Sequence, residues 1–129
     1  MILALVLPWD GPVVLPPEPA PYASGMATYY APGLMEQVYA NRLLWGHVKP
    51  CQECVGLVAM LDREDVGRKV WLRYNGQIYG PFLDVDCANP KDLEWLARHH
   101  RVVEVSGEQA QAWGMVGPVF MEVYMETIQ

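Results

Sequence analysis

The stretch Gly25-Met26-Ala27-Thr28-Tyr29-Tyr30, read GMATYY, decides the fold of this chain. Its aromatic end and small polar residues predict a strand over residues 26–30. Two shorter pieces follow it along the chain, the step Asp86-Cys87 and the step Val103-Glu104-Val105-Ser106. Each piece is a weak signal alone, and their shared order is what points to one kind of barrel.

Composition limits the fold and the partners. The 129 residues are enough for one domain with its own core, and 52% apolar or aromatic residues argue against disorder. The 11 glycines and 11 prolines favour many turns over long helices, which predicts a β-rich fold. The net charge of -6, without a cluster of Lys and Arg, argues against nucleic acid as a partner.

Residues 1–24 differ from the rest, and we assign them to an N-terminal apolar segment and a proline-rich strap before a domain at 25–129. The apolar run ends at Pro8 and has no basic residues before it, so it is not an intact signal peptide. We expect residues 2–7 to form an edge strand or to pack on the barrel. Proline density over 8–21 predicts an extended strap that lies on the surface or tethers a partner. No apolar stretch reaches the length of a membrane span.

Local signals place the other elements. Asn75-Gly76 predicts a type I′ hairpin turn between strands at 69–74 and 77–86. A short helix is predicted at 91–99, a strand at 102–105, and a helical turn from Ser106 to Trp113 that ends at Gly114. Alternation at 119–125 predicts a last strand with Val119, Met121, Val123 and Met125 on one face. The predicted fold class is all-β, a closed barrel of about six strands with short helical inserts.

Four motifs, in this order, resemble the double-psi β-barrel domain shared by rare lipoprotein A proteins, expansins and barwin-like proteins. The resemblance covers roughly residues 25–124. Its opening Gly-x-Ala-Thr/Ser-Tyr-Tyr motif corresponds to the GMATYY stretch. The remaining matches are Gly67, Val70 and Leu72 for a "Gly-x-x-Val-x-Val" strand, Asp86-Cys87 for an "Asp-x-Cys" step, and Glu104-Val105-Ser106 followed by Trp113-Gly114 for an "Asp-Leu-Ser" step, a helix and a Leu-Gly pair.

The resemblance implies a six-stranded double-psi β-barrel that associates with a cell-wall glycan, peptidoglycan or glucan, outside the cell or in its envelope. It also implies that Thr28, Asp86 and Glu104 line the groove. Two departures stand out: Glu104 replaces an Asp of the family, and residues 54–58 lack the His that rare lipoprotein A domains carry there.

Asp86 and Glu104 are the predicted catalytic residues. Glycosidic cleavage needs a carboxylic acid that protonates the leaving oxygen, and hydrolysis needs a second carboxylate that activates water. A lytic transglycosylase can work with one acid, because a hydroxyl of the sugar replaces water. The alternative is that Asp86 caps a loop and Glu104 is a solvated strand residue. Asp84 is a competitor that should share a strand face with Asp86.

Aromatic side chains are the predicted binding surface for the sugar. Tyr30, Trp45 and Trp71 are candidates because an aromatic ring can pack on the apolar face of a sugar. The alternative for each is a place in the core or on an exposed rim.

The three cysteines allow several states. The resemblance implies disulfides, with Cys87 bonded to Cys51 or Cys54 and one thiol left over. With His47 the same cysteines offer the ligand types of a Cys3His zinc site, and a redox-active Cys-x-x-Cys is a third alternative. We expect the disulfide, and we expect neither a metal nor a cofactor.

Two functional classes follow. The first is a module that associates with a cell-wall glycan and, if it is active, cleaves it as a lytic transglycosylase or glycoside hydrolase. The second is a non-catalytic subunit of a filament, envelope complex or virion, docked on a protein partner through its proline-rich strap.

Overall fold

Six strands and three short α-helices form the part of the chain that this computed structural model describes, residues 17–127. The strands are β1 (Ala23–Tyr29), β2 (Gly56–Ala59), β3 (Lys69–Tyr74), β4 (Gln77–Asp86), β5 (Arg101–Val105) and β6 (Val119–Met125). The helices are α1 (Leu34–Leu44), α2 (Leu93–Arg98) and α3 (Gly107–Trp113), with 3₁₀ turns at Arg63–Asp65 and Pro90–Asp92.

The strands close into a barrel in the order β1-β5-β2-β4-β3-β6, and β6 pairs with β1. The pairs β1/β5 and β2/β4 are parallel, and the other four are antiparallel. Closure pairs the strand edges that an open sheet would expose. The prediction of a six-stranded, mostly β closed barrel with short helices is therefore confirmed.

Two apolar clusters hold the barrel together. The larger fills its interior, where strand residues alternate inward, and includes Val58, Leu72, Phe82, Val105 and Met121. A smaller cluster lies outside the barrel under α1 and consists of Met35, Ala59, Leu83 and Val85, with Tyr30 and Tyr39 packed against it. The helix thus covers the outer face of β2 and β4.

Several local predictions are confirmed. Asn75 and Gly76 both have positive φ, 53° and 81°, as a type I′ turn requires. The Ser106 hydroxyl accepts a hydrogen bond from the Gln109 backbone N–H at 3.1 Å and caps α3. Strands 69–74, 77–86 and 119–125 have the predicted bounds.

Helix α1 was absent from the sequence predictions. It begins after Gly33 without a side-chain cap, and Met35 is its one buried residue. A helix that buries so little has no clear apolar periodicity, so pattern reasoning has little to detect.

The end of the strap lies beside β6. Pro17 forms a bridge with Glu126, and the backbone N–H of Glu18 donates to the Met125 carbonyl at 2.9 Å. The prediction for residues 2–7 falls outside the described residues, as does the strap before residue 17. No helix within residues 17–127 has the length and apolar character to cross a membrane.

Gly107 is where α3 meets the chain after β1, and it gives a test of this packing. A Cβ at Gly107 would lie 2.6 Å from the Pro32 nitrogen and 2.8 Å from the Tyr30 carbonyl oxygen. Because both are backbone atoms, Gly107→Ala should lower the free energy of unfolding by about 1–3 kcal/mol in urea denaturation. Gly117→Ala is the control, since a Cβ there meets no atom within 4 Å. Equal urea midpoints for the two variants would contradict the close packing.

Candidate functional site

Strand register brings three of the predicted site residues into one row. Thr28 on β1 pairs with Glu104 on β5, Glu104 pairs with Ala59 on β2, and Ala59 pairs with Asp86 on β4. Paired residues of neighbouring strands share a face of the sheet. Two strand spacings, about 10 Å between Cα atoms, separate Asp86 from Glu104. The small side chain of Ala59 lies between the two acids.

A β-bulge in β4 places Asp86 in this row. Val58 pairs with Asp84 but the next residue, Ala59, pairs with Asp86, so β4 contributes one extra residue. Val58 belongs to the barrel interior and Ala59 to the outer cluster. The expectation that Asp84 and Asp86 share a face is therefore wrong, because the bulge turns them to opposite sides of the sheet.

Asp86 is held by three hydrogen-bond donors. The Tyr30 hydroxyl donates to Oδ2 at 2.7 Å, Arg42 Nη2 donates to Oδ1 at 3.0 Å, and the Cys87 backbone N–H donates to Oδ1 at 2.9 Å. Burial and the hydrogen bond to Asp86 raise the pKa of Tyr30, so its phenol keeps the donated proton. The carboxylate is thus fixed and paired with a cation.

Glu104 has a different environment. Burial raises the pKa of its carboxyl above the ordinary value, and the negative charge of Asp86 adds to this effect. A hydrogen bond with Thr28 and the positive charge of Arg101 act in the opposite direction. Glu104 therefore keeps its proton to a higher pH than a free glutamate does, which is the property that a general acid needs.

A groove of about 440 Å³ opens beside this row. Its lining residues include Ala59 of β2, Met60 after that strand and Glu104 of β5, and others come from the segment that carries α2. Tyr30 and Cys87, the residue after Asp86, also line it. The carboxyl of Glu104, whose pKa is raised, thus faces a space large enough for a small ligand or part of a polymer.

Trp95 on α2 is a groove residue that the sequence reasoning missed. Its ring is 47% exposed, stacks on His99 with 3.8 Å between centroids, and lies under the Arg101 guanidinium at 5.4 Å. The available signal was a tryptophan in a six-residue helix, which is too short to bury all its apolar residues. The ring is thus in contact with both His99 and Arg101, and its exposed remainder is an apolar surface that can pack against a sugar.

Trp45 and Trp71, two of the predicted sugar-binding aromatics, lie elsewhere. Trp45 follows α1, is 61% exposed and contacts the His47 ring. Trp71 is buried in β3 and packs over Gly80. Tyr30 does reach the groove, where its hydroxyl is engaged with Asp86.

The disulfide prediction is confirmed in kind and wrong in its pairing. Cys51 bonds to Cys54, and Cys87 is a half-buried free thiol. Cys51 and Cys54 line a separate small cleft beside Tyr39, whereas Cys87 lies in the groove, so the two near neighbours pair with each other. In this state both sulfurs are consumed, which removes them as ligands from the alternative zinc site with His47.

Comparison of the chain with protein-family models, with curated proteins and with solved structures finds no match. Function has to be inferred from the groove and the residues that line it.

Asp84, directly behind the row, predicts an unusual dependence of stability on pH. Its side chain is fully buried, Oδ2 has no hydrogen-bond partner among residues 17–127, and burial raises its pKa to about 8. Since this folded-state pKa exceeds the unfolded value, the folded state binds the extra proton between about pH 4 and 8. Stability should fall over this window as pH rises, by on the order of a few kcal/mol.

Asp84→Asn should flatten this slope in urea unfolding measured from pH 5 to 8.5. A smaller slope of the same sign should remain, because the pKa of Glu104 is raised as well. The exposed Asp62→Asn serves as the control and should keep the wild-type slope. A wild-type chain whose stability rises with pH over this range would contradict the protonated, buried Asp84.

Proposed function

We propose that this chain is a double-psi β-barrel module of the cell envelope or extracellular space that binds a cell-wall glycan along the groove. Glu104 is the proton donor that cleaves it. The observation that carries the proposal is the row of Thr28, Glu104 and Asp86, from which Glu104 lines a groove that also contains an exposed tryptophan.

The barrel supports the double-psi assignment in two ways. Residues 25–29 of the GMATYY stretch lie in β1, the first strand, and the corresponding motif of the family is also its opening strand. The two parallel pairs, β1/β5 and β2/β4, each join strands that are distant in the chain, so the intervening chain must cross over within a closed barrel of six strands. A mixed barrel with such crossovers is consistent with the double-psi proposal.

The two acids suit a mechanism with one proton carrier. Glu104 gives its proton to the glycosidic oxygen as the bond from that oxygen to the anomeric carbon breaks. A hydroxyl of the same sugar attacks the anomeric carbon, closes an anhydro ring and returns its proton to the Glu104 carboxylate. Asp86 takes no proton in this scheme, because Tyr30 and Arg42 already occupy its oxygens. The product expected is therefore an anhydro-sugar, as in a lytic transglycosylase.

The disulfide supports the proposed location. Cys51 and Cys54 are half-buried, and disulfides persist mainly in oxidising compartments such as the cell exterior and the bacterial envelope. The acidic chain gives no long-range attraction to an acidic wall, so binding depends on stacking and hydrogen bonds within the groove.

A non-catalytic subunit of a filament, envelope complex or virion is the second candidate. It is favoured by the three hydrogen bonds that the Asp86 carboxylate accepts, because a carboxylate with a purely structural role would be held in the same way. The strap beside β6 and the 61% exposed Phe120 on that strand give such a subunit a surface for a protein partner. Light scattering over a range of concentrations would detect self-assembly.

Glu104→Gln tests the catalytic role. Glutamine keeps the size of the side chain but cannot donate the acid proton, so soluble products from peptidoglycan, peptide-stripped peptidoglycan or cellulose should fall by at least about 100-fold. Mass spectrometry of the products is the measurement. The exposed Glu64→Gln, in the 3₁₀ turn and away from the groove, should release products at the wild-type rate.

The chemical form of the products separates the mechanisms. Anhydro-sugar ends that disappear in Glu104→Gln support the one-acid scheme, whereas reducing ends that disappear indicate a hydrolase. If the wild-type chain releases nothing from any of the three polymers, cleavage of these substrates is refuted, and a pull-down on the same polymers then tests binding alone.

Trp95→Ala tests the binding wall. Loss of the exposed apolar surface of Trp95 should weaken binding to soluble fragments of the cleaved polymer about tenfold by calorimetry. Trp45→Ala removes an equally large and more exposed ring outside the groove and should leave the affinity unchanged. If instead Trp45→Ala weakens binding and Trp95→Ala does not, the glycan lies along α1 rather than in the groove.

A further inference from the structure

Arg101 is a cation in the groove that has no carboxylate within 4.0 Å among residues 17–127. It begins β5 and lines the groove together with Glu104. Its guanidinium lies over the Trp95 ring, and its Nε is buried without a hydrogen-bond partner among residues 17–127. A buried donor without a partner costs free energy, so its retention needs an explanation.

The other partly buried basic residues make this exceptional. Within residues 17–127, five Lys and Arg side chains are partly buried, and all except Arg101 have a carboxylate within 4.0 Å. The four ion pairs are Arg42–Asp86 at 3.0 Å, Arg68–Asp65 at 3.4 Å, Lys69–Glu53 at 3.6 Å and Arg73–Glu122 at 3.3 Å. The chain thus pairs its half-buried cations as a rule.

A second bulge turns Arg101 toward the groove. Met26 on β1 pairs with Arg101, but the next residue, Ala27, pairs with Val103, so β5 contributes one extra residue there. In a regular strand Arg101 and Glu104, three residues apart, would face opposite sides. The extra residue places both on the groove side, about 10 Å apart along the strand. A ligand must therefore extend along the groove to touch both.

The Arg101 guanidinium lies over the Trp95 ring, 5.4 Å from its centre. A guanidinium in contact with an aromatic ring can still present two parallel N–H donors, the arrangement that matches a carboxylate. The groove's own acids, Glu104 and Asp92, do not reach ion-pair distance of Arg101. The position is therefore open to an acid that arrives with the ligand.

We propose that Arg101 binds a carboxylate carried by the glycan, so that the groove selects an acidic glycan over a neutral one. The inference rests on the proposed function and specifies its substrate class. Two sugar chemistries supply such a group, a uronic acid and a sugar that bears a carboxylate on an ether side chain, as the peptide-stripped glycan of peptidoglycan does.

Such a ligand would also assist Glu104. The positive charge of Arg101 lowers the pKa of Glu104, against the effects of burial and Asp86. A carboxylate bound at Arg101 neutralises this charge and adds a negative one, so both changes favour the protonated acid. A neutral glycan would leave the opposing effect in place. Selection of the substrate and protonation of the acid are then coupled through one side chain.

The test measures binding affinity while the ligand carboxylate and Arg101 are each removed, first singly and then together. Soluble fragments of peptide-stripped peptidoglycan and of polygalacturonate are each compared with the same fragments after chemical reduction of their carboxylates to alcohols. Calorimetry with Glu104→Gln as the background prevents cleavage during the measurement. The protein change is Arg101→Gln, and the control is Arg98→Gln, an exposed residue at the end of α2.

The expected result is a loss of affinity of about 10- to 100-fold when the carboxylate is reduced, and a similar loss for Arg101→Gln with the acidic fragment. Combining the two should cost little more than either alone, because they remove the same contact. Arg98→Gln should retain the full preference. If only one of the two polymers gives this non-additive result, its carboxylate, a uronic acid or an ether-linked carboxylate, is the group that Arg101 binds.

Two results would overturn the inference, and only one of them would also refute the proposed function. Equal binding of acidic and reduced fragments would refute the carboxylate contact while the glycan groove of the proposed function survives. Binding of none of the fragments would refute both. An Arg101→Gln chain that binds reduced fragments as the background protein does is correctly folded, so its weaker binding of acidic fragments cannot come from misfolding.

Discussion

The carboxylate of Asp86 is the interaction on which the site depends. Tyr30 follows β1, Arg42 lies on α1 and Cys87 follows β4, and all three donate to this one side chain. In the barrel, β1 and β4 are separated by β5 and β2, so these hydrogen bonds connect strands that do not pair with each other. They hold the two ends of the row in place, and the position of Glu104 between them follows from the register of the same strands.

Asp86 and Glu104, the two acids of the row, face the same side of the sheet but have different surroundings. Asp86 has donors for both oxygens and a guanidinium within 3.0 Å, which stabilise its charge. Glu104 is desolvated and lies near the negative charge of Asp86, and both effects raise its pKa. Different surroundings are the usual means by which two neighbouring carboxyls acquire different tasks. The fixed charge of Asp86 is thus useful to Glu104 whether or not Asp86 itself touches a ligand.

Local chemistry accounts for what could be predicted from the sequence. The Asn75-Gly76 turn, the Ser106 cap and the alternation of β6 each depend on a few adjacent residues, so each was found. Resemblance to a family selected Thr28, Asp86 and Glu104, which strand register does bring together. Helix α1 and the exposed Trp95 depend on tertiary packing, and the Cys51–Cys54 pairing departs from the family pattern.

Two bulges explain why residue types alone were insufficient. One extra residue in β4 puts Asp86, and not Val85, opposite Ala59, and one extra residue in β5 turns Arg101 to the side of Glu104. Because side chains alternate with a period of two, removing either extra residue would send an ionic group to the other face of the sheet. Bulges cost ladder hydrogen bonds and tend to lie beside functional sites. The bulge in β5 delivers the Arg101 side chain to the groove, and the bulge in β4 places Asp86 in the row beside it, where Tyr30 and Cys87, two residues that line the groove, donate to its carboxylate.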